Sequence, residues 1–147
     1  MTTLSTKALG QIEIDPRQIV HFPDGLYGFD DFHEFALIEE NPESPFKWLQ
    51  STADPGLAFI VIQPELFLKN PYLPAISSTE LASLQAQKLE DCIIFVIVTI
   101  PENQPEKMTA NLQGPVLIHR EKKIGRQVIS TNDSHLVRVS ILEQLEK

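Results

Sequence analysis

The stretch from Cys92 to Ile100, closed at once by Pro101, constrains this chain more than any other. It is an almost unbroken series of β-branched and aromatic residues, which are stiff at χ1 and pack well on a pleated surface. Its apolar character does not alternate, so the strand it predicts must be covered on both faces, as in the core of a barrel or sandwich. It is too short to cross a membrane, which takes about 20 apolar residues. Proline has no N–H for a ladder, so the strand should stop at Pro101.

Shorter strand patterns surround it, at residues 9–14, 18–22, 34–39, 46–50, 57–62, 108–112, 116–118, 127–129 and 136–141. Asp15-Pro16, Pro23-Asp24-Gly25, Asp54-Pro55-Gly56 and Gly114-Pro115 supply the breaks. In the 46–50 run, Phe46, Trp48 and Leu49 are expected on one side, with Lys47 and Gln50 on the other. The proline-rich residues 64–76 predict no regular structure, only anchoring through Leu66, Phe67, Leu68 and Tyr72. A helix of at most three turns is expected after Ser77, which has capping-box spacing to Glu80, with Leu81, Leu84 and Leu89 on its apolar side. A polar tail from Leu142 to Lys147 has short helical character. The fold class is all-β, mainly antiparallel, a barrel or sandwich with one short helical insert, in a single domain spanning 1–147.

At 147 residues the chain can bury about two thirds of its unfolded surface without a staple. The lone Cys92 excludes a disulfide framework and reads as a small buried hydrophobe. The N-terminus lacks the basic and apolar regions of a secretion signal, so a reducing, cytoplasmic setting is expected. Twenty acidic residues against twelve basic give a net charge of −8, which argues against nonspecific nucleic-acid binding.

Chemistry has little foothold. His21, His33, His119 and His135 lack the spacing of metal pairs, and no nucleophile elbow, P-loop or dinucleotide fingerprint occurs. No cofactor or metal is expected. A small hydrolase assembled from His21, His33, His119 and nearby acids is the alternative that tertiary folding would have to create. The basic tip Arg120, Lys122, Lys123 and Arg126 suggests another, a direct RNA-binding module, though a soluble hairpin end explains it as well. Asn111, just before Gly114-Pro115, is suited to bond local backbone and fix a bend.

The uneven charge is more informative. Between Arg17 and Lys47 there is no Lys or Arg, yet Asp24, Asp30, Asp31, Glu34, Glu39, Glu40 and Glu43 all fall there. Among them lie Phe22, Tyr27, Phe29, Phe32 and Phe35 in a glycine-bearing, loop-like stretch. These rings either line the core, the better-supported reading, or offer a docking site for a peptide. A partner-facing site at Asp24, Tyr27, Phe29, Asp30, Asp31 and Glu34 follows from the second reading, with the acids steering a basic partner.

The order and spacing of several fragments resemble the FliW family of flagellar assembly factors. They are Phe22-Pro23-Asp24-Gly25-Leu26 with Gly28-Phe29-Asp30, Pro45-Phe46 with Trp48 to Ser51, Phe59 to Pro64, Val98 to Pro101, and Thr109-Ala110-Asn111-Leu112 with Pro115 and Gln127. Departures are Tyr27 where the family usually has Pro, Gly114 for Ala, His119 for Asn, and His135 where a Tyr is usual nearby. The resemblance implies a compact antiparallel β-barrel-like domain without catalytic activity, in which Gly25, Gly28, Pro45, Phe46, Asn111, Pro115 and Gln127 carry the shared structural motif. It also implies two partners, flagellin and the RNA-binding translational repressor CsrA, without direct nucleic-acid or membrane binding. On that pattern, free protein binds CsrA and relieves repression of flagellin translation, while flagellin competes for it.

Overall fold

The computed structural model describes residues 2–132 and 134–147. Among these, the elements run β1 (Thr2–Thr6), β2 (Gly10–Ile14), β3 (Ile19–His21), β4 (Glu34–Ile38), β5 (Phe46–Ser51), β6 (Ala58–Ile62), α1 (Ser78–Ser83), β7 (Cys92–Thr99), β8 (Thr109–Ala110), β9 (Val116–His119), β10 (Gly125–Gln127), β11 (Val139–Ser140) and α2 (Ile141–Glu146). Every strand pair is antiparallel. One sheet of nine strands follows the path β10-β9-β7-β6-β5-β4-β3, with β8 on β7 and β11 on β8, and β1–β2 forms a separate hairpin. The sheet curls until its ends touch, where the His21 N–H donates to the Lys123 carbonyl at 2.9 Å beside a lone His21–Ile124 bridge. One bridge is not a ladder, so the shape is barrel-like but not closed.

The unbroken run of apolar residues in β7 has its cause in this arrangement. On one edge it pairs with β6, and on the other its first half pairs with β9 and its last two residues with β8. Ile93, Phe95 and Ile97 point inward to Phe22, Phe35, Leu49 and Val61. Cys92 and Ile94 point outward against Leu84 and Leu117, and Val96 and Val98 against Ile62, Phe67 and Ile141. Both faces are therefore dry, and alternation would leave a polar group unsatisfied in one of them.

The outer face of β4 and β5 is covered by the β1–β2 hairpin, whose Leu4 and Ile14 pack on Ala36, Ile38 and Trp48. The strand β1 is not visible in the pattern TTLST, because pairing with β2 rather than propensity orders it. Two side chains correct the expected facing of β5. Leu49 belongs to the inner core, on the face opposite Phe46 and Trp48, as strict alternation demands. Gln50 is buried, its Nε2 lying 3.1 to 3.3 Å from the carbonyls of Ser51, Asp54, Pro55 and Leu57, so a polar residue closes the turn from inside.

Within residues 64–76, where no regular structure is expected, Pro64–Leu66 form one 3-10 turn; Phe67, Leu68 and Tyr72 reach the core as expected, but Leu66 stays exposed. The Ser77 Oγ caps α1 by accepting the Glu80 N–H at 3.2 Å. The reciprocal half of a capping box is missing, and Glu80 Oε2 has no partner among the described residues. The helix has six residues, fewer than three turns, and ends before Gln85, which takes φ +58°. A second helix, α2, occupies the polar tail, its Ser140 cap accepting the Glu143 N–H. The expected last strand shrinks to Val139–Ser140, leaving Leu136 and Val137 exposed ahead of it.

Candidate functional site

The acidic, aromatic stretch divides its residues between core and surface. Phe22 and Phe35 are fully buried and meet edge to face at 5.4 Å between ring centres. Phe29 turns inward as well, edge-on to Phe59 at 5.1 Å, so it supports the core rather than offering a free ring to a partner. Tyr27 does the opposite and is 58% exposed. The loop that presents it is tight: a Cβ on Gly25 would lie 2.5 Å from the Phe29 carbonyl oxygen, at a φ of +66° that only glycine adopts without strain. Gly28 stands on the far side of Tyr27, at the surface.

Gln127, buried on β10, clamps this loop from a hundred residues away. Its Oε1 accepts the Tyr27 N–H at 3.1 Å and its Nε2 donates to the Gly114 carbonyl at 3.0 Å. The Gly114 turn is in turn held by Asn111, whose Oδ1 accepts the N–H groups of Gln113 at 3.0 Å and Gly114 at 2.9 Å. Buried Pro115 continues the link, its carbonyl accepting the Val128 N–H. A neutral amide with both ends satisfied stays buried without penalty, and here it ties three segments together. Pro45 and Phe46 lie apart from this cluster, at the start of β5.

Tyr27 stands as a ridge between two clefts. One, of about 220 Å³, is lined by Asp24, Leu26, Tyr27, Asp30, Arg126 and Gln127. The other, of about 330 Å³, includes Tyr27, Phe59, Ile97, Asn111, Val137 and Arg138. Asp24, Tyr27 and Asp30 are thus brought together, whereas Asp31 and Glu34 do not line either cleft. Asp24 is paired with Arg126 at 2.7 Å, and Glu34 accepts the Thr52 hydroxyl at 3.0 Å with His21 Nδ1 at 3.7 Å. Glu39 is paired with Lys47 at 3.0 Å. Asp30, Asp31, Glu40 and Glu43 have no cationic side chain within ion-pair distance among the described residues. The second cleft escaped sequence reading, since its lining comes from six separate strand and loop segments and residues 136–141 carry the pattern of a strand.

The histidines have local work. His119 Nδ1 accepts the N–H groups of Glu121 and Lys122, closing the hairpin turn, and the cleft it lines includes neither His21 nor His33. His135 Nδ1 is 2.7 Å from Ser130 Oγ and its ring packs on Tyr72. Burial pushes His135 below the ordinary imidazole range and the Cys92 thiol above the ordinary thiol range. Three of the four basic tip residues are turned onto the protein's own acceptors: Arg120 to the Glu90 carbonyl, Lys122 to Gln85 and Arg126 to Asp24. No group of three or more metal-ligating side chains occurs among the described residues, and no described helix is long and apolar enough to cross a membrane.

Residues 3–141 match the family model described as FliW protein. A flagellar assembly factor FliW of Leptospira biflexa is 54% identical over 145 residues, covering 99% of this chain and 94% of the relative. Another, of Treponema denticola, is 39% identical and covers 97% and 95%. A crystal structure of the flagellar assembly factor FliW superposes with a TM-score of 0.84 at 33% identity, covering 95% of this chain and 96% of that one.

Proposed function

The chain belongs to the FliW family of flagellar assembly factors, and from that premise we propose that it is a cytoplasmic, non-enzymatic binding protein that alternates between flagellin and the translational repressor CsrA. When flagellin is scarce, the free protein engages CsrA and lifts repression of flagellin translation; when flagellin accumulates, it occupies the protein instead. One domain, residues 1–147, carries both interactions without a cofactor.

The observation that supports this reading best is Tyr27, a large exposed ring on a loop clamped by Gln127 and rimmed by carboxylates. A pre-set aromatic with an acidic surround suits a basic, RNA-binding partner, because the loop has little entropy left to lose on docking. Asp24, Tyr27, Asp30 and Asp31 form the contact in this reading; Glu34 adds to the field and Phe29 props the loop from beneath.

The test uses purified chain, purified CsrA and monomeric flagellin from the same cells. Each binary complex should form by isothermal titration, and adding flagellin should displace CsrA. Failure of either binary complex, or a stable ternary complex in which both stay bound, would refute the switch. The RNA-binding alternative would gain from a salt-sensitive gel shift with the chain alone.

A further inference from the structure

A cavity of about 470 Å³, larger than either cleft beside Tyr27, opens between residues 68–72, residues 134–140 and α2. Its lining is mainly polar, which suits a polar ligand rather than an apolar anchor. Two cations reach it, Arg138 and Lys147, and neither has a carboxylate within ion-pair distance among the described residues. Arg138 stands between this cavity and the second cleft and lines both. One carboxylate, Glu143, shares the wall. Two cations against one acid run counter to the net charge of −8 on the whole chain.

His135 is the buried member of the set, 8% exposed. Ser130 Oγ accepts the N–H groups of Ala75 at 3.2 Å and Asn132 at 3.4 Å, which leaves its own proton for His135 Nδ1, 2.7 Å away. A neutral imidazole whose Nδ1 accepts carries its proton on Nε2. Burial holds His135 below the ordinary imidazole range, so near neutral pH the ring is this neutral donor. Ser130 lies outside the cavity lining while His135 belongs to it, so the ring edge turned to the cavity is the one bearing Nε2–H. That N–H has no acceptor among the described residues and is left to whatever fills the space. The titratable or charged groups lining the cavity with His135 are Tyr72 from residues 68–72, Arg138 from its own segment, and Glu143 and Lys147 from α2.

We propose that this cavity binds a small polar molecule through a carboxylate or phosphate group, with Arg138 and Lys147 supplying the charge and His135 Nε2–H a directed hydrogen bond. A guanidinium matches two oxygens of either group at once, and lysine adds a point charge. The Ser140 hydroxyl accepts the Glu143 N–H and keeps its own proton for a ligand. Glu143 sets a second requirement, because it repels a further anionic group and accepts from a hydroxyl. The site uses neither of the partners proposed above.

The experiment titrates the purified chain with inorganic phosphate and, separately, with malate, against chloride at matched ionic strength. Calorimetry gives the affinity, and the His135 ring resonance, identified by its loss in His135→Gln, gives the titration midpoint of that imidazole. Binding should saturate, and the midpoint should rise when the site is filled, because negative charge beside the ring favours the imidazolium. Arg138→Gln and Lys147→Gln, both at exposed positions and checked for fold by melting, should each weaken binding by about tenfold, one decade in Kd. Arg138→Lys should recover part of the loss. Saturation by phosphate alone would make the ligand a phosphate ester, by malate alone a carboxylate, and by both would support the shared chemistry. No saturable binding of either probe, or equal binding by Arg138→Gln, would overturn the site. Saturable binding with the His135 midpoint unmoved would put the anion elsewhere on the surface and overturn it as well.

Discussion

At the scale of single residues, two glycines show how the surroundings set the cost of a methyl group. A Cβ on Gly125 would lie 2.5 Å from the ring of Phe22, which is fully buried and cannot retreat. Gly125→Ala should therefore destabilise by about 1–3 kcal/mol, as overpacking does, lowering Tm by several degrees in a thermal melt. A Cβ on Gly114 meets only the amide ends of Asn111 and Gln127, both at 3.0 Å. These can yield by tenths of an ångström, and the lost flexibility of the unfolded chain offsets the strain, so Gly114→Ala should stay within about 1 kcal/mol of wild type. Equal melting of the two variants would contradict this contrast. His135 supplies a pH dependence. Its folded-state value is depressed by burial, so the unfolded chain binds the proton more readily. Stability is then complete above the ordinary imidazole value and declines as pH falls through that value toward the depressed one. Melting between neutral and mildly acidic pH should show this slope in wild type and lose it in His135→Gln; an identical slope in both would assign it to other groups.

At the scale of elements, legibility followed how much of each element's environment is encoded in its own side chains. β7 could be read outright, because only a strand covered on both faces tolerates eight residues of this kind in a row. The cap at Ser77 was equally plain, since its chemistry is local. By contrast, β1 carries almost no apolar signal and exists through its pairing with β2, and β11 is shorter than its pattern predicts because the apolar Leu136 and Val137 lie exposed, each lining a different surface cleft. The clamp through Gln127 was out of reach for a different reason: one amide joins residues 27 and 114 across the chain, and nothing local in the sequence marks such a bond. The load on β7 is measurable. Phe95 is 2% exposed in the inner core, so Phe95→Ala should cost about 3–5 kcal/mol in denaturant unfolding. An unchanged midpoint would mean that the core closes without it.

At the scale of the whole molecule, the net charge of −8 acts as a field whose local shape the fold decides. Within the acidic stretch, Asp24 is paired with Arg126 from β10 and Glu39 with Lys47 on the neighbouring strand, while Glu34 accepts the Thr52 hydroxyl and faces His21, a cation only when protonated. What remains is narrower than the sequence suggested: Asp30 in the cleft beside Tyr27 with Asp31 next to it in the chain, and Glu40 and Glu43 at the β4–β5 connection. Asp30 lines the cleft at the clamped ring, so this first pair should dominate encounter with a basic partner. Exposed charges of this kind act on the association rate, within a Debye length of about 8 Å at physiological salt. Reversing Asp30 and Asp31 to Lys should slow association with CsrA and flatten its dependence on salt, with dissociation and Tm changed little. Flagellin binding should suffer less than CsrA binding in the same double variant. Surface-immobilised kinetics at two salt concentrations would separate these outcomes. A CsrA association rate and salt dependence both untouched by the reversal would make this face a solubilising one, and would move the repressor's contact away from Tyr27.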